Sequence, residues 1–278
     1  MKLLLTILLL LALLAMPAGA AHPGEAPALG EAKVPIIMYH SLFEKRTNEW
    51  NIFPGAFEQD LRYLHEQGYT TVLIADLIAF VQEGAPLPSK PIVLTFDDGY
   101  YNNYSHGLPL LERYDARIVL SVIGSSTEHW TQHSGETSER YGHLTWPQIE
   151  QMHASGRVEF ANHTWALHKS EGGRKGCRAK DGEDMDEYRA LITADLGGLQ
   201  ERLAEITGVP PRCFTYPFGA HCPKADDALR ELGFLVTLSC ASGVNTLRVG
   251  DEATLWKLRR NNRTPDTSVR EILRAVDS

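Results

Sequence analysis

From Val34 onward, short apolar runs alternate with stretches whose apolar residues recur every three or four positions. Val34-Pro35-Ile36-Ile37-Met38-Tyr39 reads as a strand that delivers His40 at its end. Across 54–68, Phe57, Leu61 and Leu64 share one face and Gly68 supplies a stop, which predicts a helix. A strand over 70–74, a helix over 75–83 and a turn at 87–90 lead into the apolar run Pro91-Ile92-Val93-Leu94. A short helix over 107–114 and a strand over 117–123 follow. Helices are then expected over 146–155, 188–207 and 225–232, with a strand opening 158–168, a strand then turn across 213–219 and a strand over 235–239. Leu191, Leu199, Leu203 and Ile206 are the expected buried face of the longest helix. Residues 125–143 and 169–185 are polar and read as long loops. Strands alternating with helices predict a parallel α/β sheet or barrel.

The chain begins with a different pattern. Lys2, the apolar run Leu3 to Leu14 and the small residues Ala18-Gly19-Ala20 have the form of a cleavable export signal over 1–20. Its apolar core is short for a membrane span, and no later stretch is apolar enough for one. Residues 21–33, rich in Ala, Pro, Gly and Glu, read as a tether, leaving 34–278 as one catalytic-sized domain. The chain is then expected outside the cytoplasm, secreted or periplasmic. A formal charge of −8 argues against a nucleic-acid partner. Cys177, Cys213, Cys222 and Cys240 contain no CxxC pair. Export permits disulfides, and four cysteines allow three pairings among which sequence does not choose.

The chemistry concentrates at strand ends. Thr95-Phe96-Asp97-Asp98-Gly99 places two adjacent carboxylates where an apolar strand meets a glycine turn. Carboxylates withdrawn from water must pair, bind a metal or neutralise. Val158-Glu159-Phe160-Ala161-Asn162-His163-Thr164-Trp165-Ala166-Leu167-His168 runs from a strand into two histidines. One Asp and two His form a three-ligand set that leaves a divalent ion an open position for water. A metal-dependent hydrolase is the leading expectation. Trp165 and Trp256 are candidate sugar platforms or ordinary core. His129, His133, His143, His153 and His221 are taken as surface or structural.

Together, TFDDG, His163-Thr164 through His168, and Tyr216-Pro217-Phe218-Gly219 resemble, in order, the motifs of the polysaccharide deacetylases, the carbohydrate esterase family with a NodB-type domain. The resemblance spans roughly 34–260. It implies a distorted (β/α)7-type barrel and a hydrolase that removes N-acetyl groups from N-acetylglucosamine polymers, releasing acetate. It further implies that Asp98, His163 and His168 hold the metal, zinc first and cobalt, nickel or iron otherwise. Asp97 would be the general base. The Phe218 amide would face the oxyanion, and Tyr216 and Pro217, on the same turn, would contact the substrate. The partner would be an acetylated polysaccharide; oligomeric state stays open.

The chain departs from the common family pattern in three places. Four residues separate the histidines, against the commoner three. Thr215 stands where an arginine usually buttresses the base, and Arg212 is out of register. The late histidine that usually supplies the general acid is missing. His40 fills that role if the motifs are circularly permuted, as in the poly-N-acetylglucosamine deacetylases, with the first strand beside the last. Peptidoglycan, chitooligosaccharide and O-acetylated xylan are the next substrates to consider. A sugar-binding relative without activity and an amidohydrolase of small amides are the rival readings.

Overall fold

The protein is described by a computed structural model covering residues 30–46, 48–133 and 138–276. The expected export signal and most of the expected tether lie outside the described residues. One sheet organises the rest. Strands Val236–Leu238, Cys213–Thr215, Val158–Asn162, Ile118–Val122, Pro91–Phe96 and Glu31–Tyr39 lie side by side in that order, all parallel. Residues 258–262 close the ring. Leu258 bridges Leu238, and Asn261–Asn262 pairs with Ile37 and Met38, both in parallel. With that segment the barrel has seven staves. Strand Val244–Arg248 pairs antiparallel with the first half of Glu31–Tyr39, from Glu31 to Pro35. That pairing draws residues 31–33 out of the expected tether and into the strand.

The two-residue period of a strand decides what faces inward. Val34, Ile36, Val93, Val119, Ala161, Cys213, Val236, Leu238 and Leu258 form one buried cluster. Ile37, Tyr39, Ile92, Leu94, Phe96, Ile118, Leu120, Val122, Val158 and Phe160 belong to another, packed against helices Pro54–Glu66, Trp146–Ala154 and Met185–Thr207. Continuing the inner face toward the strand C-termini gives His40, Asp97, His163 and Thr215. That end of the interior is polar. The Ser121 and Thr215 hydroxyls meet at 2.7 Å, although a third strand separates theirs.

Several elements differ from expectation. Helix Gly124–Gln132 occupies ground expected to be loop; of its residues only Gly124 and Thr127 are buried, so it carries no apolar stripe to read. The 70–74 strand shortens to Thr70–Thr71, because helix Ile74–Glu83 starts early, with the Asp76 carboxylate accepting from the Leu73 amide at 2.8 Å. The 169–185 stretch contains a small hairpin, Ser170–Glu171 with Arg174–Lys175. Leu191 is exposed; Tyr188, Ile192, Leu196, Leu199 and Leu203 form the buried stripe, one residue out of phase with it. Past 239, where the pattern named nothing, lie strand Val244–Arg248, the closing segment and helix Val269–Val276.

Candidate active site

The site sits where the barrel strands end, as in parallel α/β barrels generally. Tyr39 pairs with Phe96, and the Asp97 amide donates to the Tyr39 carbonyl at 3.0 Å. His40 and Asp97 therefore leave the barrel side by side. Asp98 breaks the strand with φ 71°, a left-handed conformation that a non-glycine residue adopts only at a cost of about 1 kcal/mol or more. The break turns its carboxylate toward the histidines instead of letting it alternate outward.

Asp98 Oδ1 lies 3.5 Å from His163 Nε2 and 3.4 Å from His168 Nε2, and the three donor atoms all fall within 4.8 Å of one another. Tetrahedral bonds of about 2.1 Å to one ion set its ligands about 3.4 Å apart, so the spacing suits a metal. The second test is tautomeric. His163 Nδ1 donates to the Thr215 carbonyl at 2.8 Å, which turns Nε2 toward Asp98. Burial lowers this ring's pKa, but the hydrogen bond to Asp98 and the charges of Asp97 and Asp98 more than offset it, so an ion there would displace a proton. A hydrogen bond from the far ring nitrogen is the usual companion of a ligating histidine. Burial, with His163 beside it, presses the His168 pKa down to about 4, so that ring is neutral near pH 7. Burial would raise the Asp98 carboxyl, but His163, His40 and His168 more than offset it and hold it ionised. Donor types, spacing and ring orientation thus fit a divalent ion.

Asp97 has a partner that sequence reading missed. Fully buried Arg260, from the closing segment, grips it with both arms, Nη1 to Oδ1 at 2.7 Å and Nη2 to Oδ2 at 2.8 Å. Burial pushes the Asp97 carboxyl up, yet the guanidinium prevails and holds it below the usual carboxylate range. Arg260 also donates to Thr95 Oγ1 and the Ser239 carbonyl, so its charge is fully bonded. The arginine absent at position 215 is supplied from the far end of the chain. Nothing marked Arg260 in advance, because it follows no motif and its neighbours Arg259 and Arg263 look like ordinary surface charge.

His40 stands beside this pair. Its ring packs on Trp50 at 4.6 Å, and its Nδ1 is buried without a partner. Burial lowers its pKa, while the charges of Asp98 and Asp97 pull the other way. The Phe218 ring lies against the cluster, 4.6 Å from His168. It has φ 59° and is 44% exposed, so the turn holds an apolar ring at the mouth. Pro217 is buried beneath it. Tyr216 corrects the expectation of substrate contact: it is fully buried and its hydroxyl donates to Asp226 at 3.2 Å. Its phase on the strand end turns it outward into the helix layer.

The family model for polysaccharide deacetylases matches residues 84–237, more than half of the chain. The chain belongs to that family. It is 27% identical over 227 residues to the poly-β-1,6-N-acetyl-D-glucosamine N-deacetylase of Escherichia coli (strain K12), covering 75% of this chain and 34% of that relative. The chain thus spans about a third of that relative's length. The IcaB structure from Ammonifex degensii superposes with a TM-score of 0.72 at 26% identity, covering 90% of this chain and 98% of that one. A de-N-acetylase from Aggregatibacter actinomycetemcomitans shares the fold, with a TM-score of 0.74 at 22% identity over 87% of this chain and 99% of that one. Further side chains complete this deacetylase-family site. Tyr100 turns its hydroxyl to the Asp98 carboxylate, and half-buried His143, its Nδ1 shielded from solvent, stacks on Tyr100 with ring centroids 5.0 Å apart. Cys240 lies against the arginine, its sulfur 3.8 Å from Arg260 Nη2. Trp256 lies away from the centre with Arg230 stacked on it at 3.8 Å, and Trp165 packs between Gly124 and Trp146.

Proposed function

We propose that this protein removes N-acetyl groups from an N-acetylglucosamine polymer by metal-dependent hydrolysis, releasing acetate. The observation that carries the reading is the buried Asp97–Arg260 pair set beside the Asp98–His163–His168 cluster. A pure sugar binder needs no ionised, guanidinium-clamped carboxylate next to a metal-competent triad. A bound divalent ion, zinc by donor type with cobalt, nickel or iron also admitted, would polarise the acetyl carbonyl and acidify a water. Asp97 then takes that water's proton, its charge held ready by Arg260. The Phe218 amide, on its left-handed turn, faces the developing oxyanion. His40, beside Asp97 and Asp98, carries a proton to the amine as it leaves.

The polymer is proposed to be β-1,6-linked N-acetylglucosamine, on the strength of the relatives' names. An exported location rests on the leader-like first twenty residues. Acetate release is the decisive measurement. Purified protein is offered poly-β-1,6-N-acetylglucosamine, chitooligosaccharide, peptidoglycan and acetylxylan, with and without chelator. Release should be strongest on the first and vanish on metal removal. Strongest release on another polymer would reassign the substrate, and chelator-resistant release would overturn the mechanism.

A further inference from the structure

The widened spacing between the metal-cluster histidines poses a mechanical problem. His163 follows directly from a strand, and its ring is locked by the Thr215 carbonyl. The ring of His168 has no such anchor on another strand; the backbone hydrogen bond it makes is to its own residue. Apart from Asp98 it meets His163 and Phe218, each at 4.6 Å between ring centroids. Its position therefore depends on the path of residues 164–167.

That path is held from two sides. Its carbonyls go to one helix start: Gly124 and Ser125 amides donate to the Thr164 and Trp165 carbonyls at 3.0 and 2.8 Å. Its amides go to a single side chain. Trp165 N donates to Asp195 Oδ1 at 2.8 Å, and Ala166 N to Asp195 Oδ2 at 2.9 Å. Thr164, at φ 78°, is held by Asn162 Oδ1 at 2.9 Å. Gly124 lies so close beneath Trp165 that a Cβ there would come within 2.5 Å of the ring. Asp195 stands on helix Met185–Thr207, thirty residues away in sequence, and touches neither cluster histidine.

We propose that Asp195 is a positioning residue whose carboxylate, by gripping the crest of the 164–167 span, returns the His168 ring to Asp98 and His163. The proposal rests on reading that cluster as a metal centre. A longer connection has more conformations, and a two-pronged acceptor removes the extra freedom without lying in the centre itself. Asp195→Ala loses both prongs. Asp195→Asn keeps one carbonyl acceptor and turns an NH2 toward an amide donor.

The test is zinc affinity, read by competition with a chromophoric chelator, beside the thermal midpoint of the metal-free protein. Asp195→Ala should weaken zinc binding about 10- to 100-fold, the range for lost supporting contacts around a metal. Asp195→Asn should fall between it and the parent, and serves alone if the alanine variant does not fold. Deacetylation by either variant should recover as zinc is raised. Zinc affinity within about twofold of the parent, with or without a lower midpoint, would overturn the proposal and leave Asp195 a structural cap. Failure of the parent, but not of these variants alone, to bind zinc would instead sink the metal-centre reading.

A different observation concerns two thiols. Cys177 and Cys222, both free thiols in this structure, are buried in one cluster with Tyr188. The Tyr188 hydroxyl donates to the Cys177 carbonyl at 2.6 Å and is within hydrogen-bonding reach of the Cys222 thiol. The neighbouring Gly176 is pressed on Pro217, where a Cβ would meet its carbonyl oxygen at 3.1 Å. We infer that Cys177 and Cys222 join as a disulfide, tying the segment after His168 to the turn that bears Phe218. One thiolate attacks an external disulfide such as glutathione disulfide. The second thiolate then displaces the mixed-disulfide partner, so two protons and two electrons leave and two glutathione thiols form. Refolding with glutathione disulfide, unfolding with an alkylating agent and peptide mass mapping read the outcome. A 177–222 cross-link with Cys213 and Cys240 alkylated is expected, and reduction should lower the thermal midpoint by about 5 °C or more, except in the Cys177→Ser/Cys222→Ser variant. Four alkylated thiols, or any other pairing, would overturn it.

Discussion

Asp97 and Asp98 are neighbours in sequence with opposite surroundings. Asp98 faces two imidazoles and Asp97 a guanidinium. Their substitutions should separate accordingly. Asp98→Asn should lose metal binding and turnover together. Asp97→Asn should keep the metal and lose kcat on the order of a hundredfold, the scale of a general base; metal content and steady-state kinetics on one preparation check both. Arg260 holds the Asp97 pKa down, so its conservative replacement gives a signed pH effect. In Arg260→Lys the single ammonium cannot reproduce the two-armed grip. The Asp97 pKa should rise, and the acidic limb of the kcat/KM profile should move to higher pH. An unmoved limb would assign that limb to another group. His40 calls for a substrate comparison. A glucosamine nitrogen leaves poorly until protonated, whereas an activated aryl acetate needs no acid. His40→Ala should cripple release from N-acetylglucosamine oligomers and spare the aryl ester; equal losses would make His40 structural.

The loops between elements place these groups, and they do so through unusual backbone. Asp98, Thr164 and Phe218 all have φ between 59° and 78°. Each sits just after a strand, where a left-handed residue turns the chain sharply and keeps a side chain or amide at the barrel mouth. The turn after Phe218 is the tightest. Gly219 has φ 62°, and a Cβ there would come within 2.7 Å of Cys240 Cβ. Gly219→Ala therefore combines backbone strain with a clash against the chain beside Arg260. It should reduce kcat at least tenfold with little change in metal affinity, if the Phe218 amide faces the oxyanion. Unchanged kcat would remove that turn from the mechanism.

At the scale of the whole molecule, closure of the barrel is what assembles the site. Residues 258–262 bring Arg260 inside, and a second buried pair secures their far side. Arg263 Nε donates to Asp60 Oδ2 at 2.7 Å, and Tyr39 and the Val269 amide donate to the same carboxylate. Asp60→Ala would leave Arg263 buried and unpaired, a loss of about 3–5 kcal/mol by analogy with other broken buried pairs. The urea midpoint should fall accordingly, and activity should fall with the folded fraction rather than before it.

The sequence by itself determined the parallel α/β class, most element positions up to 239, and the residue types of the centre. Strand periodicity and the motifs TFDDG, His163 to His168 and Pro217-Phe218-Gly219 are local, and local spacing is what a sequence displays. The first strand does join a C-terminal segment, but that segment is 258–262, beyond the last strand the sequence displayed. Tertiary structure alone decided the rest. Arg260 reaches Asp97 across 163 positions, Asp195 grips the histidine loop from a distant helix, and Tyr216 turns into the core beside residues that line the site. Each depends on which strands become neighbours and which face a residue presents once the ring has closed. A buried charge reveals its partner only when the fold has excluded water around both.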